Sequence, residues 1–463
     1  MKQIAIKFHR DVRYKFLSIA FMIVVFEHLF VRDYSGDAAI AFSHYLDRTT
    51  LIATLHNRYM TWTSRVFIEA VLLKLSQNMH VILWAVIDIL MWMLLIWAMM
   101  KLTNYKHNYL ILCLTFIVPL SMMNGAGWMA TSINYFWPLA LGTLGLVSLY
   151  KVYLHEKVGI VFGLIVLAGL VFATNFETYS VMYLMLLSYF SFLMIRQHRF
   201  SVPGTVFIVL QYSICLANII LALVAPGNKQ RVVVETKFRM FDFSNMTFFD
   251  KLSVGFNHTF SELTDHNVLF LLFAIMLVFV ALSTKPRSRG LVGISLIPLT
   301  FVMSRTFLSP LVKAYTPEFK ALFDAVSKQY RVNAITYFDF VSYLPFVIYA
   351  LILIAILLVL INGFKSLDTG VGLSVALLSG LVTVVAIGFS PSMYASGSRI
   401  FFFLDFVLIY AITVMYDETS FILNDHVAMK KTLKICLFAF TAFSVVNNLI
   451  AIGATYFYGN ISF

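Results

Sequence analysis

The chain has 463 residues, of which 60% are hydrophobic and only 12% charged, and its formal net charge is +12. Soluble domains contain about 25% charged residues, so this composition excludes an ordinary soluble enzyme, a nucleic-acid binder and a disordered scaffold. Apolar runs of about 20 residues, separated by short basic stretches, are typical of a multi-pass membrane protein. The excess of Lys and Arg then follows from the positive-inside rule.

The first apolar run, residues 16–30, follows a basic N-terminal stretch. No small-residue cleavage site comes after it, which favours an uncleaved first helix over a signal peptide. Further spans are predicted at 80–100, 108–123, 134–150, 158–174, 178–195, 204–224, 268–283, 289–307, 339–361, 371–389, 399–416 and 434–456. The pattern predicts an all-α integral membrane bundle of about 13 transmembrane helices, in one domain that covers residues 1–463.

The distribution of Lys and Arg predicts the orientation of the bundle. Every second connection carries Lys or Arg, whereas the short connections at 124–133 and 175–177 carry none. The N-terminus is therefore expected in the cytoplasm and the C-terminus outside. Three outward segments, 31–79, 225–267 and 308–338, are too long to be simple turns, and long connections are usually functional.

Polar clusters gather at the predicted outer ends of the spans. Arginine forks bind phosphate oxygens, a carboxylate can act as a general base, and Trp and Tyr rings can cover sugar rings. Such a set suits a substrate with a phosphate, a sugar and a lipid tail. The sequence contains neither a P-loop nor a G-x-G-x-x-G motif, so a cytoplasmic nucleotide site is unsupported. An outward-facing transferase would need a donor already carried across on a lipid.

The polar clusters contain several motifs: an acidic segment after the first span, W-x-x-R at Trp62–Arg65, W…TSxNYxWP at Trp128–Pro138, N-x-E at Asn175–Glu177 and APGNxxR at Ala225–Arg231. Together they resemble bacterial multi-span proteins of the GT-C glycosyltransferase superfamily, some of which glucosylate cell-wall polysaccharide or O-antigen. The resemblance covers roughly the first half of the chain and an SPxxY…R element near 390–399. The resemblance implies inverting transfer from a polyprenyl-phosphate sugar to a glycan hydroxyl at the outer face. It also implies that an acid of the first outer loop is the catalytic base, which points to Asp33 or Asp37.

Each acid also has a plainer interpretation. Asp33 lies nearer the predicted membrane face and is the first candidate for the base, but a solvated loop acid would look the same. Asp37 could be the base, a partner for Arg32 or a metal ligand. No His or carboxylate spacing selects a metal, so a divalent ion is left open and no cofactor is required.

The predicted substrate-binding residues are Arg65, Asn134, Tyr135, Glu177, Asn228, Arg231 and Arg399. Arg399 is the strongest phosphate candidate because it opens an apolar helix, where an unpaired charge is costly; the alternative for the arginines is anchoring to lipid headgroups. Glu177 sits in a very short turn, which favours a sugar hydroxyl or an arginine as its partner. The asparagines could equally be turn or cap residues. Trp62, Trp128, Tyr135 and Trp137 would ordinarily belong to an interfacial belt.

The sequence therefore predicts an outward-facing glycosyltransferase in the plasma or inner membrane. Its partners would be a polyprenyl-phosphate sugar donor, a surface polysaccharide acceptor and membrane lipid, with no nucleic acid. The alternatives are a lipid-linked glycan polymerase or ligase, and a flippase or transporter. Ionisable residues within the spans (Glu27, His28 and Asp88) are interpreted as pairs that join two helices.

Overall fold

The computed structural model describes residues 12–33, 36–265, 267–284, 288–318, 337–423 and 427–458. Within these ranges the chain is helical apart from turns and short connections, and it contains no strand. The predicted all-α class is therefore confirmed.

The longer helices of the first half are α1 (Val12–Phe30), α2 (Leu51–Thr61), α3 (Val66–Ser76), α4 (Val81–Leu102), α5 (Asn108–Ile117), α6 (Trp128–Tyr153), α7 (Ile160–Ala173), α8 (Glu177–Arg196), α9 (Val202–Val224) and α10 (Pro226–Arg239). Those of the second half are α11 (Phe248–Thr264), α12 (Val268–Ser283), α13 (Arg289–Thr306), α14 (Ser309–Tyr315), α15 (Phe340–Gly363), α16 (Leu367–Phe389), α17 (Gly397–Ile422) and α18 (Val427–Tyr458).

Eight of the described helices are long and apolar enough to cross a membrane, namely α4, α6, α8, α9, α15, α16, α17 and α18. Two bent pairs, α11 with α12 and α13 with α14, raise the number to ten if each pair forms one span. A hydrocarbon core of about 30 Å needs roughly 20 apolar helical residues, which these helices supply. The protein is thus an all-helical, multi-pass membrane protein.

Each of the thirteen predicted spans lies on a described helix, but the number of crossings stays a prediction. Helices α5 and α7 have 10 and 14 residues, which alone are too short for a bilayer core. Helix α1 has 19 residues but carries three charged side chains. The predicted span 108–123 is interrupted because Val118 is extended, as expected for a residue that precedes a proline.

The chain folds into two compact units. Unit 1 comprises Met1–Val233, Ser396–Phe403 and Cys436–Phe463, and unit 2 comprises Val234–Ala395 and Leu404–Ile435. All nine predicted catalytic and substrate-binding residues belong to unit 1, so the candidate site can be described within that unit.

Helix α6 forms the interior of unit 1. Its apolar stretch is 78% buried, and it packs against α4, α7 and α8. The approach to α8 depends on Gly142, because a Cβ at that position would lie 2.0 Å from the Tyr179 hydroxyl oxygen. This packing fixes the position of α6, and therefore of the residues at its first turn.

Unit 2 is held together by a buried polar network around Arg305 of α13. Its guanidinium donates to the carbonyl of Ser261 at 3.1 Å and to the hydroxyls of Thr264 at 2.8 Å and Tyr349 at 3.0 Å. Arg305 therefore ties α13 to both α11 and α15.

The long predicted connections contain helices of their own. In segment 31–79, a buried ion pair between Arg58 and Glu69 joins α2 to α3. Residues 66–75 form most of α3 and bury Ile68, Leu72 and Leu73. Segment 225–267 contains α10 and α11, and segment 308–338 contains α14, with residues 319–336 outside the described ranges.

Candidate functional site

The candidate site is built on the turn of residues 124–128, which leads into α6. The Gly127 N–H donates to the Asn124 carbonyl at 3.0 Å and closes the turn. Gly127 has φ +87, a backbone conformation that residues with a side chain rarely adopt. The glycine therefore allows the chain to reverse and start α6 at Trp128.

Asp33 is held against this turn. Its carboxylate is buried, with 5% of the residue exposed, and its Oδ2 accepts a hydrogen bond from the Met129 N–H at 3.2 Å. A Cβ on Gly36 or on Gly127 would lie 2.4 or 2.5 Å from Asp33 Oδ1, so the carboxylate is packed between two glycine backbones. The start of a helix also favours a negative charge, which explains why this acid is tolerated in the protein interior.

This environment raises the pKa of the Asp33 carboxyl group. Burial raises the pKa of its carboxyl group, while the hydrogen bond from the Met129 N–H acts in the opposite direction. The nearby Asp37 carboxylate raises the pKa further. A general base is most effective when its pKa approaches the working pH, so the shift suits Asp33 for proton abstraction.

Asp37 lies in the same segment but in a different environment. It begins the short helix Asp37–Ile40 and is exposed, and its backbone N–H donates to the Ala126 carbonyl at 2.9 Å. Its backbone therefore contacts the turn, while its carboxylate is more accessible than that of Asp33.

Arg399 reaches the same turn from a distant part of the chain. A Cβ on Gly125 would lie 3.2 Å from Arg399 Nη1 and 3.5 Å from its Cδ, so the side chain lies along Gly125. Its Nε is enclosed and has no hydrogen-bond partner among the described residues. A carboxylate and a guanidinium thus contact glycines that are two positions apart in one turn.

Four enclosed polar atoms around this turn have no hydrogen-bond partner within the described part of the chain: Asp33 Oδ1, Asn124 Oδ1, Trp128 Nε1 and Arg399 Nε. A buried polar group without a partner costs about 1–3 kcal/mol, and such groups are rare in native structures. All four belong to residues that form or contact the turn, which makes the turn 124–128 the candidate site.

A second cluster in unit 1 contains Arg65 and Glu177, whose Nε and Oε2 atoms are 2.7 Å apart. The Ser64 hydroxyl donates to Glu177 Oε1 at 2.7 Å, and the Asn228 amide donates to the Ser64 hydroxyl at 3.2 Å. Of the two partners expected for Glu177, a sugar hydroxyl or an arginine, the structure shows the arginine. Three predicted substrate-binding residues are therefore joined in one network.

Aromatic rings surround this second cluster. The guanidinium of Arg65 lies 3.8 Å from the centre of the Phe176 ring, and the Tyr135 ring lies 4.9 Å from that ring. Arg231 lies 5.8 Å from the Trp62 ring. Since the charge of Arg65 is already paired with Glu177, Arg399 is the better candidate of the two for a phosphate.

Asn134 and Tyr135 are carried by a π-helical turn, Ser132–Phe136, within α6. Both ends of this turn are fixed by α4: the Trp84 indole donates to the Ser132 hydroxyl at 2.7 Å, and the Trp137 indole donates to Asp88 at 2.6 Å. Such π-turns occur frequently at functional sites. The Asn134 amide donates to the Ala130 carbonyl at 2.8 Å, so this side chain also stabilises the helix locally.

Asp88 also bonds His28 of α1 at 2.9 Å. The predicted pairing of ionisable groups between two helices is therefore confirmed for His28 and Asp88. Glu27 is buried as well, but its Oε1 atom has no hydrogen-bond partner among the described residues. The sequence alone did not indicate that Asp88 would reach Trp137 and hold the π-turn.

No group of three or more His, Cys, Asp or Glu side chains in the described ranges could hold a metal ion. A cavity of about 580 Å³ lies at the opposite end of α6, lined by residues that include Val152, His155 and Phe207. A second, of about 290 Å³, lies in unit 2 around Lys365 and Glu418. None of the predicted site residues lines either cavity.

No protein-family model, curated protein or solved structure gives a significant match to this chain. The fold defines the class, an all-α multi-pass membrane protein. The chemistry of the residues around the turn 124–128 is therefore the basis for inferring a function.

Proposed function

We propose that the protein is an inverting glycosyltransferase of the GT-C type that moves a sugar from a polyprenyl-phosphate-linked donor to a surface glycan. The observation that carries the proposal is the contact of Asp33 and Arg399 with the same turn, next to the start of the buried helix α6. One group can accept a proton and the other can bind a phosphate, which are the two functions that such a transfer needs.

In the proposed reaction, Asp33 removes the proton from a hydroxyl of the acceptor glycan. The hydroxyl oxygen attacks the anomeric carbon of the donor from the face opposite the phosphate, so the new glycosidic bond has inverted configuration. The bond between the anomeric carbon and the phosphate oxygen breaks, and the polyprenyl phosphate leaves with the bonding electrons. Arg399 stabilises the charge on this phosphate, and such electrostatic stabilisation is usually the largest catalytic contribution.

Asp37 is the alternative base, because its exposed carboxylate lies four residues further along the same segment. A protonated Asp33 would then remain in place as the structural partner of the Met129 N–H. The two assignments differ in which single substitution abolishes transfer.

The second cluster is proposed to hold the acceptor glycan. Arg65, Glu177 and Asn228 form a polar network beside the Phe176 and Tyr135 rings, a combination that suits sugar hydroxyls and sugar faces. Arg231 beside Trp62 and Asn134 on the π-turn would extend this surface.

The proposed setting is the plasma or inner membrane, with the N-terminus in the cytoplasm and the active site facing outward. The basic connections predicted on the inner side support this orientation. Membrane lipid would surround the spans and hold the prenyl chain of the donor, and a divalent metal stays an open prediction.

The test is an analysis of the composition and linkage of the cell-surface polysaccharide in a deletion strain, complemented with wild type, Asp33→Asn or Asp37→Asn. Loss of one side-chain sugar with an intact backbone polymer, in the deletion strain and in at least one variant, is the expected result. A vanished polymer or a collapsed length distribution would instead favour a polymerase, ligase or flippase. An unchanged glycan in the deletion strain would refute the proposed transfer.

A further inference from the structure

Asn124 and Trp128 stand at the two ends of the turn that Asp33 and Arg399 contact. Trp128 is 5% exposed and its indole nitrogen is enclosed without a hydrogen-bond partner in the described part of the chain. The amide oxygen of Asn124 is enclosed in the same way. Gly125, between them, is exposed, so the turn itself reaches the surface.

Hydrogen bonds fix the turn that carries Asn124 and Trp128 at the start of α6. Trp128 is the first residue of α6, and the next N–H of that helix, at Met129, is held by Asp33. The Ala126 N–H donates to the Thr131 hydroxyl at 3.1 Å, which further fixes the turn. A ligand at the turn would therefore meet polar groups whose positions are already set.

The donor or acceptor character of the four unpartnered atoms limits the chemistry of a ligand. Asn124 Oδ1 can only accept a hydrogen bond, and so can Asp33 Oδ1 when its carboxyl group is ionised. The Trp128 indole is a neutral donor, whereas the Arg399 guanidinium is a cationic donor that prefers an anion. A ligand that carries both hydroxyls and an anionic group satisfies Asn124, Trp128 and Arg399, and a glycosyl phosphate has this composition. Asp33 Oδ1 is then left to accept the proton of the acceptor hydroxyl.

We infer that Asn124 and Trp128 bind the hydroxyl groups of the donor sugar, while Arg399 binds the phosphate to which that sugar is attached. The inference rests on the proposed function and extends it, because it separates the residues that recognise the sugar from the residue that recognises the lipid phosphate. A sugar hydroxyl donates to Asn124 Oδ1, and a sugar oxygen accepts from Trp128 Nε1.

The experiment measures equilibrium binding of two radiolabelled lipids to the full-length protein in nanodiscs. The probes are polyprenyl phosphate and the same lipid carrying a hexose, tested with glucose, galactose and mannose. Trp128→Phe removes the indole N–H but keeps an aromatic ring, and Asn124→Leu replaces the amide with an apolar group of similar size. Trp92→Phe and Asn108→Leu are the matched controls, because Trp92 is buried elsewhere in unit 1 and Asn108 is buried with both amide atoms lacking a hydrogen-bond partner among the described residues.

The wild type is expected to bind one glycosylated lipid more tightly than the sugar-free lipid. Trp128→Phe and Asn124→Leu should each lower the affinity for that glycosylated lipid about tenfold, as the loss of one buried hydrogen bond does. Their affinity for sugar-free polyprenyl phosphate should stay within about twofold of wild type, which also shows that they are folded. Arg399→Gln should weaken the binding of both lipids.

The inference would be overturned if the wild type and both variants all bound the glycosylated lipid and the sugar-free lipid with the same affinity. The phosphate role of Arg399 would then remain in place. An equal loss of both lipids by the variants, with an unchanged melting temperature, would overturn it as well. If Asn124→Leu lowers the melting temperature, Asn124→Ala replaces it and is expected to show the same selective loss. A wild type that binds neither lipid, or that is unaffected by Arg399→Gln, would instead refute the proposed function.

Discussion

The carboxylate of Asp33 lies directly against the Cα atom of Gly127. A Cβ at residue 127 would sit 2.5 Å from Asp33 Oδ1, and also 2.5 Å from the Cα of Gly36. The segment after α1 and the start of α6 are thus interlocked through two glycines and one carboxylate. Because the turn 124–128 also contacts Arg399, this packing determines the geometry of the whole candidate site.

Gly127→Ala is expected to destabilise the protein and to abolish transfer. The φ of +87 at this position and the overlap with Asp33 together should cost at least about 2 kcal/mol, since strained backbone positions cost of order 1–3 kcal/mol each. The melting temperature of the detergent-purified protein and the transfer assay measure the effect. Gly159→Ala is the matched control: this residue has φ −62, and a Cβ there meets nothing within 4 Å.

Asp33→Asn is expected to abolish transfer and leave the protein at least as stable as wild type at neutral pH. The pKa of Asp33 is raised in the folded state, so the wild type loses stability as the pH rises from the ordinary carboxyl range to this raised pKa, whereas asparagine carries no charge to bury. The stability advantage of Asp33→Asn should therefore shrink as the pH falls toward the ordinary carboxyl range. Melting temperatures measured between about pH 4 and pH 8 test this sign.

The same experiment separates the two acids. Asp37 is exposed, so Asp37→Asn should change the melting temperature at neutral pH less than Asp33→Asn does. Because the Asp37 carboxylate raises the pKa of Asp33, its removal should also lower that pKa and weaken the pH dependence of the melting temperature. Retained transfer in Asp37→Asn together with lost transfer in Asp33→Asn assigns the base to Asp33; the reverse result assigns it to Asp37.

Glu177→Gln is expected to lower the stability of unit 1 by about 2 kcal/mol. The side chains of Arg65 and Glu177 are only 19% and 26% exposed, and loss of the carboxylate leaves a poorly solvated guanidinium with weaker hydrogen bonds. A double-mutant cycle with Arg65→Met, followed by chemical denaturation, measures the coupling. The Lys365–Glu418 pair serves as the comparison, because Lys365 is 78% exposed and Lys365→Met should have no measurable effect on stability.

Asp88→Leu is expected to lower the melting temperature more than Asp88→Asn does. Asparagine can still accept the hydrogen bond of the Trp137 indole, whereas leucine leaves that donor unpartnered at a cost of about 1–3 kcal/mol. Both variants lose the carboxylate that contacts His28 Nε2. Equal melting temperatures for the two variants would show that the bond to Trp137 contributes nothing to stability.

The orientation is tested by cysteine labelling of intact cells with a membrane-impermeant maleimide. In a Cys436→Ser background the remaining native cysteines, Cys113 and Cys215, are buried and should not react. A cysteine at Asp37 should be labelled from outside, and one at Glu156 only after the cells are permeabilised. The opposite pattern would reverse the proposed orientation and place the candidate site on the cytoplasmic side.

The predicted helices are confirmed, whereas the number of membrane crossings stays a prediction. Runs of apolar residues identify a helix because the signal is local, and each predicted span overlaps a described helix. Whether α5 or α7 crosses the membrane depends on the length of the helix and on the neighbouring elements that cover it. The break at Val118, for example, limits the length of α5. The sequence also identified the polar clusters, but it did not distinguish Arg65, which is paired, from Arg399, whose Nε has no partner among the described residues.

Trp128 is the clearest residue that the sequence misassigned, because a tryptophan near the end of a span resembles an interfacial belt residue. The structure buries it within unit 1 beside the acidic segment after α1. The only sequence signal for a place in the candidate site was that Trp128 ends the run N-G-A-G-W.

By itself the sequence determined that this is an all-helical membrane protein, because the cost of burying charge and exposed backbone in lipid acts on each apolar run separately. Only the tertiary structure decided which polar groups are paired and which have no partner among the described residues. The Asp33–Met129 and Arg65–Glu177 contacts join residues far apart in the chain, and such pairing depends on how helices pack rather than on any local pattern. The candidate site is the place where that packing leaves four polar atoms without a partner among the described residues.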